Sequence, residues 1–304
     1  MDSDKIEKLN SIISDIREAT SKKTSLNEIT ENTDQLEITI KHLCTTFLSN
    51  WEQEHLPDIK SFREAFNGGI PIPVLSVCGK GTQEIRWTKY LSYFLNPKAH
   101  HGLGSRLISE AFGDVLRNHL IDVANMDDII VEDEVYIGSV KDDCRCDIVI
   151  SSKEWLLFVE QKINSSESKN AATGQTQLRC YSEAIKTNPG FAGKKIMKVF
   201  LTLTGKTPKG ADDWLPMTHQ ELIRAGRKIL KDHSLTLVAR GNLMRFLMDM
   251  AIGPYNQTED VLTEMQELAD RLCKKGFELE SFVKYSQINQ QHSHITELIR
   301  EGLK

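Results

Sequence analysis

Two carboxylates and an amine, Asp147, Glu160 and Lys162, stand at the ends of two apolar runs, 148–150 and 155–159, joined by the polar segment 151–154. The runs read as β-strands and the polar segment as the turn of a hairpin. A turn centred on Ser152 and Lys153 pairs position 147 with 158 and puts 160 one diagonal step further along. Side chains alternate with period two, so Glu160 and Lys162 share a face with Asp147. Carboxylates whose Cβ atoms lie roughly 7–8 Å apart can close around one hard cation. Mg²⁺ suits that offer, because it takes one or two protein carboxylates, keeps several waters and completes its octahedron with a phosphate oxygen. An ammonium one pleat beyond can neutralise the charge that develops on phosphorus or orient the attacking water. This is the equipment of phosphodiester hydrolysis.

A bare Glu-x-Lys triplet carries little, since acids at strand ends are usually solvated rim residues. The apolar hairpin and the shared face give this one its weight. Six cysteines, Cys44, Cys78, Cys144, Cys146, Cys180 and Cys273, include no C-x-x-C pair, so they read as reduced and unconnected. Cys144 and Cys146 lie on one strand with no second pair to complete a zinc tetrahedron. His100 and His101 sit in a Gly-rich turn, where a histidine is more often a local cap than a phosphate or metal ligand.

The chain that positions these groups has 304 residues, enough for one substantial core with accessory elements. No apolar stretch approaches the roughly 18 residues of a membrane span, and the first residues lack a signal peptide's order, so a cytoplasmic protein is expected. The net charge of −5 would disfavour a nucleic-acid partner, but its distribution does not. Residues 141–245 carry 18 Lys and Arg against 11 Asp and Glu, whereas residues 1–60 carry 7 against 12. The half with the hairpin is thus the basic one, as a surface that meets phosphates requires.

Residues 1–55 show two amphipathic helical stretches, Ile6, Leu9, Ile13, Ile16 and Leu36, Ile40, Leu43, Phe47, Trp51, either a cap on the core or an arm for a homo-oligomer or partner protein. Residues 56–81, with Gly68, Gly69, Pro71 and Pro73, read as an irregular connector. A core over 82–252 follows: helices at 84–95 and to about 120, a strand at 129–137, the hairpin, a helix at 176–186, a strand at 195–204, and helices at 218–231 and 241–252. C-terminal helices over 253–304, at 259–274 and 277–302, close the chain. The fold class is α/β, a mixed sheet flanked by helices, with helical additions at both ends.

Asp147 followed thirteen positions later by Glu160-Gln161-Lys162 resembles the D…(D/E)-x-K signature of the PD-(D/E)XK nuclease superfamily, with Cys146 in place of the usual proline. The segment from Glu84 through Asn96-Pro97 to His101-Gly102-Leu103-Gly104 is similar to that superfamily's branch with a Glu-x-x-His-Ser…Leu-Leu-Asp-Pro…His-Gly-Leu-Gly pattern. Trp87-Thr88 replaces the His-Ser pair and Asn96 the aspartate, so no role passes to that histidine. Glu134, Gln177 and Tyr181 also match favoured positions.

The resemblance implies the αβββαβ restriction-endonuclease-like core and a Mg²⁺-dependent (or Mn²⁺-dependent) deoxyribonuclease acting on DNA. Asp147, Glu160 and the carbonyl of Gln161 would hold the metal, Lys162 would act on charge or water, and Gln177 would point into the site. Glu84, in the first turn of its helix, has the ordinary reading of an N-terminal helix acid. Its functional reading is a further ligand, delivered as the helix packs across the hairpin, that could support a second metal. An effector role in bacterial defence against phage is implied as well. The alternative is a non-catalytic nucleic-acid-binding or assembly subunit on a nuclease fold, against which the intact Asp, Glu and Lys set argues.

Overall fold

The computed structural model describes residues 46, 50–67, 74–122, 128–138, 144–163, 174–253 and 259–301. Most of the proposed N-terminal arm, with its cap and partner-binding alternatives, and the 68–73 stretch lie outside the described residues. Contacts divide the chain into two units, Met1–Asp58 and Ile59–Lys304. In the first, a π-helical turn at Trp51–His55 runs into the following helix.

Five strands form one sheet in the order β1 (Ile130–Tyr136), β2 (Arg145–Ser151), β3 (Trp155–Lys162), β4 (Lys195–Thr202) and β5 (Leu215–Thr218). β1, β2 and β3 are antiparallel, while β3, β4 and β5 are parallel. The helices are α1 (Leu56–Asn67), α2 (Val74–Val77), α3 (Glu84–Leu95), α4 (Arg106–Asn118), α5 (Gln177–Thr187), α6 (His219–Leu230), α7 (Leu237–Ile252), α8 (Glu259–Lys275), α9 (Leu279–Gln291) and α10 (Ser293–Glu301). β3 is buried at every position but Lys162, as a central strand covered on both faces must be. One face carries Val149, Phe158 and Phe200 beneath Leu178, Tyr181 and Ile185 of α5, the crossover between parallel β3 and β4. On the other, Ile148, Ile150, Leu157 and Val159 are buried, and α3 packs against β1, β2 and β3. The expected mixed sheet flanked by helices is present.

Several boundaries differ from the sequence reading, each for a local reason. Residues 56–67, expected as irregular connector, are helical: Ile59, Phe62 and Ala65 bury one stripe, and Pro57, which has no N–H to give, falls where the π-helical turn passes into the α-helix. α7 starts at Leu237 instead of 241 because the Thr236 side chain caps it, accepting from Ala239 N at 3.1 Å. The long helix expected over 277–302 is two, because the His292 carbonyl accepts from Ile295 N and Thr296 N and opens a new helix. β5 was not expected at all, being four residues with Pro216 inside; an edge strand tolerates that proline.

The entry to α3 is held firmly. Asp249, fully buried in α7, accepts from Val74 N (2.9 Å), Leu75 N (2.8 Å) and Ser76 N (3.4 Å) and from the Tyr90 hydroxyl (3.3 Å), tying α2 and α3 to α7. Trp87 Nε1 donates to Gly81 O at 2.6 Å, and a Cβ on Gly81 would stand 3.0 Å from the Gly253 Cα, so a larger residue would press the two backbones apart. α3 stops at Asn96, which Pro97 forces out of helical geometry. His101 closes that turn: its Nε2–H donates to Asn96 O (2.8 Å), its Nδ1 accepts from Leu103 N (3.0 Å), and its ring stacks on Phe94. It is a cap.

Candidate active site

The hairpin pairs Ile148 with Val159, so Asp147 stands directly opposite Glu160 and not opposite 158. The turn is shifted accordingly. Ser152 N donates to Trp155 O at 2.9 Å around Lys153 and Glu154, and Asp128 braces this turn by accepting from Lys153 N (2.9 Å) and Ser152 Oγ (3.2 Å). Asp128 lies too far upstream for hairpin rules to have included it. The expected neighbourhood of the carboxylates survives, now as a cross-strand pair.

Beyond Ile148 and Val159 the ladder of β2 and β3 ends, and side chains take over its hydrogen bonds. Gln161 N donates to Asp147 Oδ2 at 2.7 Å, and Asp147 N donates to Glu160 Oε2 at 3.4 Å. A strand residue projects its N–H and C=O to the same edge, so the Gln161 carbonyl also faces the Asp147 side. The pairing of β1 with β2 is interrupted at the same level. Asp133 pairs with Ile148 and Val135 with Cys146, but the position between them drops out where Glu134 adopts φ 55°. Strict alternation would separate Cys146 from Val149, yet both belong to one core cluster with Tyr181. The strands therefore rotate at Asp147, and the rotation turns its carboxylate along the opening between strands.

α5 locks this arrangement from above. The Tyr181 hydroxyl donates to Arg145 O, and Gln177 Nε2 donates to the Tyr181 oxygen at 2.6 Å. Gln177 thus reaches the site through Tyr181, whose hydroxyl is pushed up by burial and by the Glu160 charge.

At the open end, Lys162 Nζ lies 2.7 Å from Glu160 Oε1 and 3.9 Å from Glu84 Oε2, while Glu84 Oε1 accepts from Ile163 N at 2.9 Å. One ammonium bridges two carboxylates from distant parts of the chain, which are therefore closer than the about 8 Å that a shared ion and its waters can span. Negative charge is in excess. Burial pushes the Asp147 carboxyl up to about 6, with the charges of Glu134 and Glu84 adding to the effect and Lys162 and the Gln161 N–H opposing it. Burial and then the Asp147 charge push Glu160 up to about 8. Burial alone would lower the Lys162 ammonium, but Glu160 and Asp147 outweigh it and the net shift is upward.

Among the described residues no three acidic, histidine or cysteine side chains are gathered into a finished metal cage, and the acids close on Lys162 instead. The donor set nevertheless fits a hard divalent cation. It offers carboxylate oxygens on rigid backbone, a carbonyl beside them, and more negative charge than one ammonium balances. Cys146 is no part of it: its thiol is buried against the carbonyls of Ile148 and Val159 and pushed well up by burial.

The structure brings together Asp147, Glu160, Gln161, Lys162 and Glu84, with Gln177 one residue removed. Sequence reasoning missed Arg145, whose Nε lies 3.1 Å from Glu134 Oε2, and Asp249, which anchors the entry to the Glu84 helix. Asp249 did leave a signal, as the lone acid in the otherwise apolar 246–252 stretch.

A model of the PD-(D/E)XK nuclease superfamily matches residues 73–248, more than half of the chain. The chain belongs to that superfamily. In this PD-(D/E)XK protein the matched segment takes in Glu84, Glu134, Arg145, Asp147, Glu160, Lys162, Gln177 and Tyr181. No curated protein and no solved structure matches it. Among the described residues, no helix is long and apolar enough to cross a membrane.

Proposed function

We propose that the protein is a metal-dependent endonuclease hydrolysing DNA phosphodiester bonds. The observation that carries this reading is the single Lys162 ammonium bridging Glu160 and Glu84 at the open end of the sheet, beside an Asp147 fastened to the β3 backbone. The carboxylates of Asp147, Glu160 and Glu84 and the carbonyl of Gln161 would hold Mg²⁺ or Mn²⁺. Such an ion supplies Lewis-acid polarisation of a phosphoryl oxygen and a more acidic water.

Lys162, with its raised pKa, stays protonated at neutral pH. It can donate to the charge that develops on the phosphoryl oxygens, or hold the attacking water by one N–H. Asp147 keeps its orientation because a backbone N–H grips one oxygen, which costs no reorganisation during the reaction. Tyr181 and Gln177 fix the β2 backbone before Asp147 by clamping the Arg145 carbonyl. The local basic excess of residues 141–245 supports a polyanionic substrate read by backbone and shape. A role in bacterial defence against phage is supported by the family likeness.

Supercoiled plasmid incubated with Mg²⁺, Mn²⁺ or EDTA tests the reading. Nicking that requires the metal and disappears in Asp147→Ala supports it. Cleavage of single-stranded RNA with plasmid left intact would move the substrate to RNA, and cleavage undiminished in EDTA would overturn the metal requirement.

A further inference from the structure

Arg145 stands two residues before Asp147 on β2, where it pairs with Tyr136 of β1, and Lys162 stands two residues after Glu160 on β3. Two cations therefore flank the acidic cluster, one from each strand. Lys162 is mostly enclosed, with 12% of its side chain exposed, whereas Arg145 exposes 45%. The enclosed cation serves the acids, and the exposed one faces whatever approaches.

Arg145 is held in an informative way. Its Nε lies 3.1 Å from Glu134 Oε2, and the Tyr136 ring lies 6.0 Å from the guanidinium carbon. Among the described residues the two terminal nitrogens have no protein acceptor. Contact at Nε, on a side chain that is 45% exposed, leaves the terminal nitrogens for an approaching acceptor. Glu134 makes this contact from φ 55°, a left-handed backbone that is costly for a non-glycine residue and persists where the surroundings over-determine it.

We infer that Arg145 is a phosphate-binding residue whose terminal fork grips a phosphate of the substrate backbone beside the acidic cluster, and that Glu134 is the positioning residue that aims it. The inference rests on the proposed nuclease reading. It deepens that reading by naming how a polyanion is drawn toward a site that is itself anionic. Arginine suits the task because its planar fork matches two phosphate oxygens, which lysine cannot do.

The test uses the full chain and a fluorescent 20-base-pair duplex, with anisotropy read in Ca²⁺ across a salt series and cleavage read in Mg²⁺. Arg145→Ala should bind about tenfold or more weakly, the loss of one charge-assisted contact. Its slope of log affinity on log salt should become shallower by about one. Arg145→Lys should keep the slope and still bind weakly, because charge is retained and the fork is not. Glu134→Ala should weaken binding with the slope unchanged, and Glu134→Gln, whose amide oxygen can take the carboxylate oxygen's place beside Nε, should recover most of the loss. Melting temperatures identify any variant that fails to fold, and the Tyr181 bond survives all of them because it is made to the Arg145 backbone.

If wild type binds and cleaves the duplex while both Arg145 variants match it in affinity and slope, the inference falls and the nuclease reading stands. Equal losses in Glu134→Ala and Glu134→Gln would overturn the positioning role. If wild type neither binds nor cleaves duplex, the reading of the protein as a DNA endonuclease itself falls.

Discussion

Two ionic clusters, each with a largely buried lysine from one strand of the sheet, are built on opposite principles. In one, Lys198 of β4 reaches Asp213 and, at 3.3 Å, Ser182 Oγ; Ser182 donates to Asp213 Oδ1 at 3.1 Å and accepts from Trp214 Nε1 at 3.0 Å. One cation meets one anion, and neutral donors complete the set. Burial would raise the Asp213 carboxyl, but the Lys198 bond and charge outweigh it and hold the group below the ordinary range. In the other, Asp147, Glu160 and Glu84 share Lys162, and both strand carboxyls are pushed upward. The balanced cluster needs nothing further and reads as structural. The unbalanced one is stable only with protons or a cation added, which is what separates a site from a strut.

The largest effect that distinguishes them is on chemistry. Asp147→Ala, Glu160→Ala and Lys162→Ala should each lower plasmid cleavage by roughly a hundredfold to a thousandfold or more, with the fold retained. Asp213→Asn should leave cleavage unchanged. Full cleavage by any of the first three in matched metal would erase the contrast.

A smaller effect is expected at Glu84. Glu84→Gln keeps a hydrogen-bond acceptor for Ile163 N but removes one charge, so the Mg²⁺ needed for half-maximal cleavage should rise, with partial rescue by Mn²⁺. An unchanged metal requirement would return Glu84 to a helix-end acid.

The pH dependence of stability sharpens the comparison. Because Asp147 and Glu160 titrate higher in the fold than in the unfolded chain, the folded state retains protons that the unfolded state has released. Their contribution is full below the ordinary carboxylate range near pH 4 and is lost as pH rises through about 6 and about 8. The metal-free melting temperature should fall between pH 5 and pH 8.5, less so in Glu160→Gln, and saturating Mg²⁺ should restore most at the alkaline end. A melting temperature that rises over this window without metal would contradict the assigned charge excess.

The smallest effect belongs to the balanced cluster. Asp213→Asn should cost about 1–2 kcal/mol, since it leaves Lys198 enclosed with a neutral partner, the figure being discounted because 45% of the Asp213 side chain faces solvent. Urea unfolding at pH 7 measures it.

What the sequence revealed follows physical range. The hairpin, the crossover helix and the Asp, Glu and Lys set were legible because period-two patterning and continuous apolar runs are local. So was Glu84, as a charged first-turn residue of a well-marked helix. The register slipped by two because a distant residue, Asp128, braces the turn at Lys153 and Glu154. Arg145 gave no sign because its meaning comes from a rotation at Glu134, eleven residues upstream across a strand pair. β5 was missed because four residues with a proline carry no period, and only pairing with β4 makes them a strand.

Mn²⁺ titration by calorimetry at pH 7.5, comparing wild type with Glu160→Gln and Asp213→Asn, tests the charge excess most directly. Wild type and Asp213→Asn should bind the ion with matching affinity and release protons, because raised carboxyls must ionise to ligate it, while Glu160→Gln should lose most of the affinity. Wild type that binds no Mn²⁺, or Glu160→Gln that binds it as wild type does, would contradict the account.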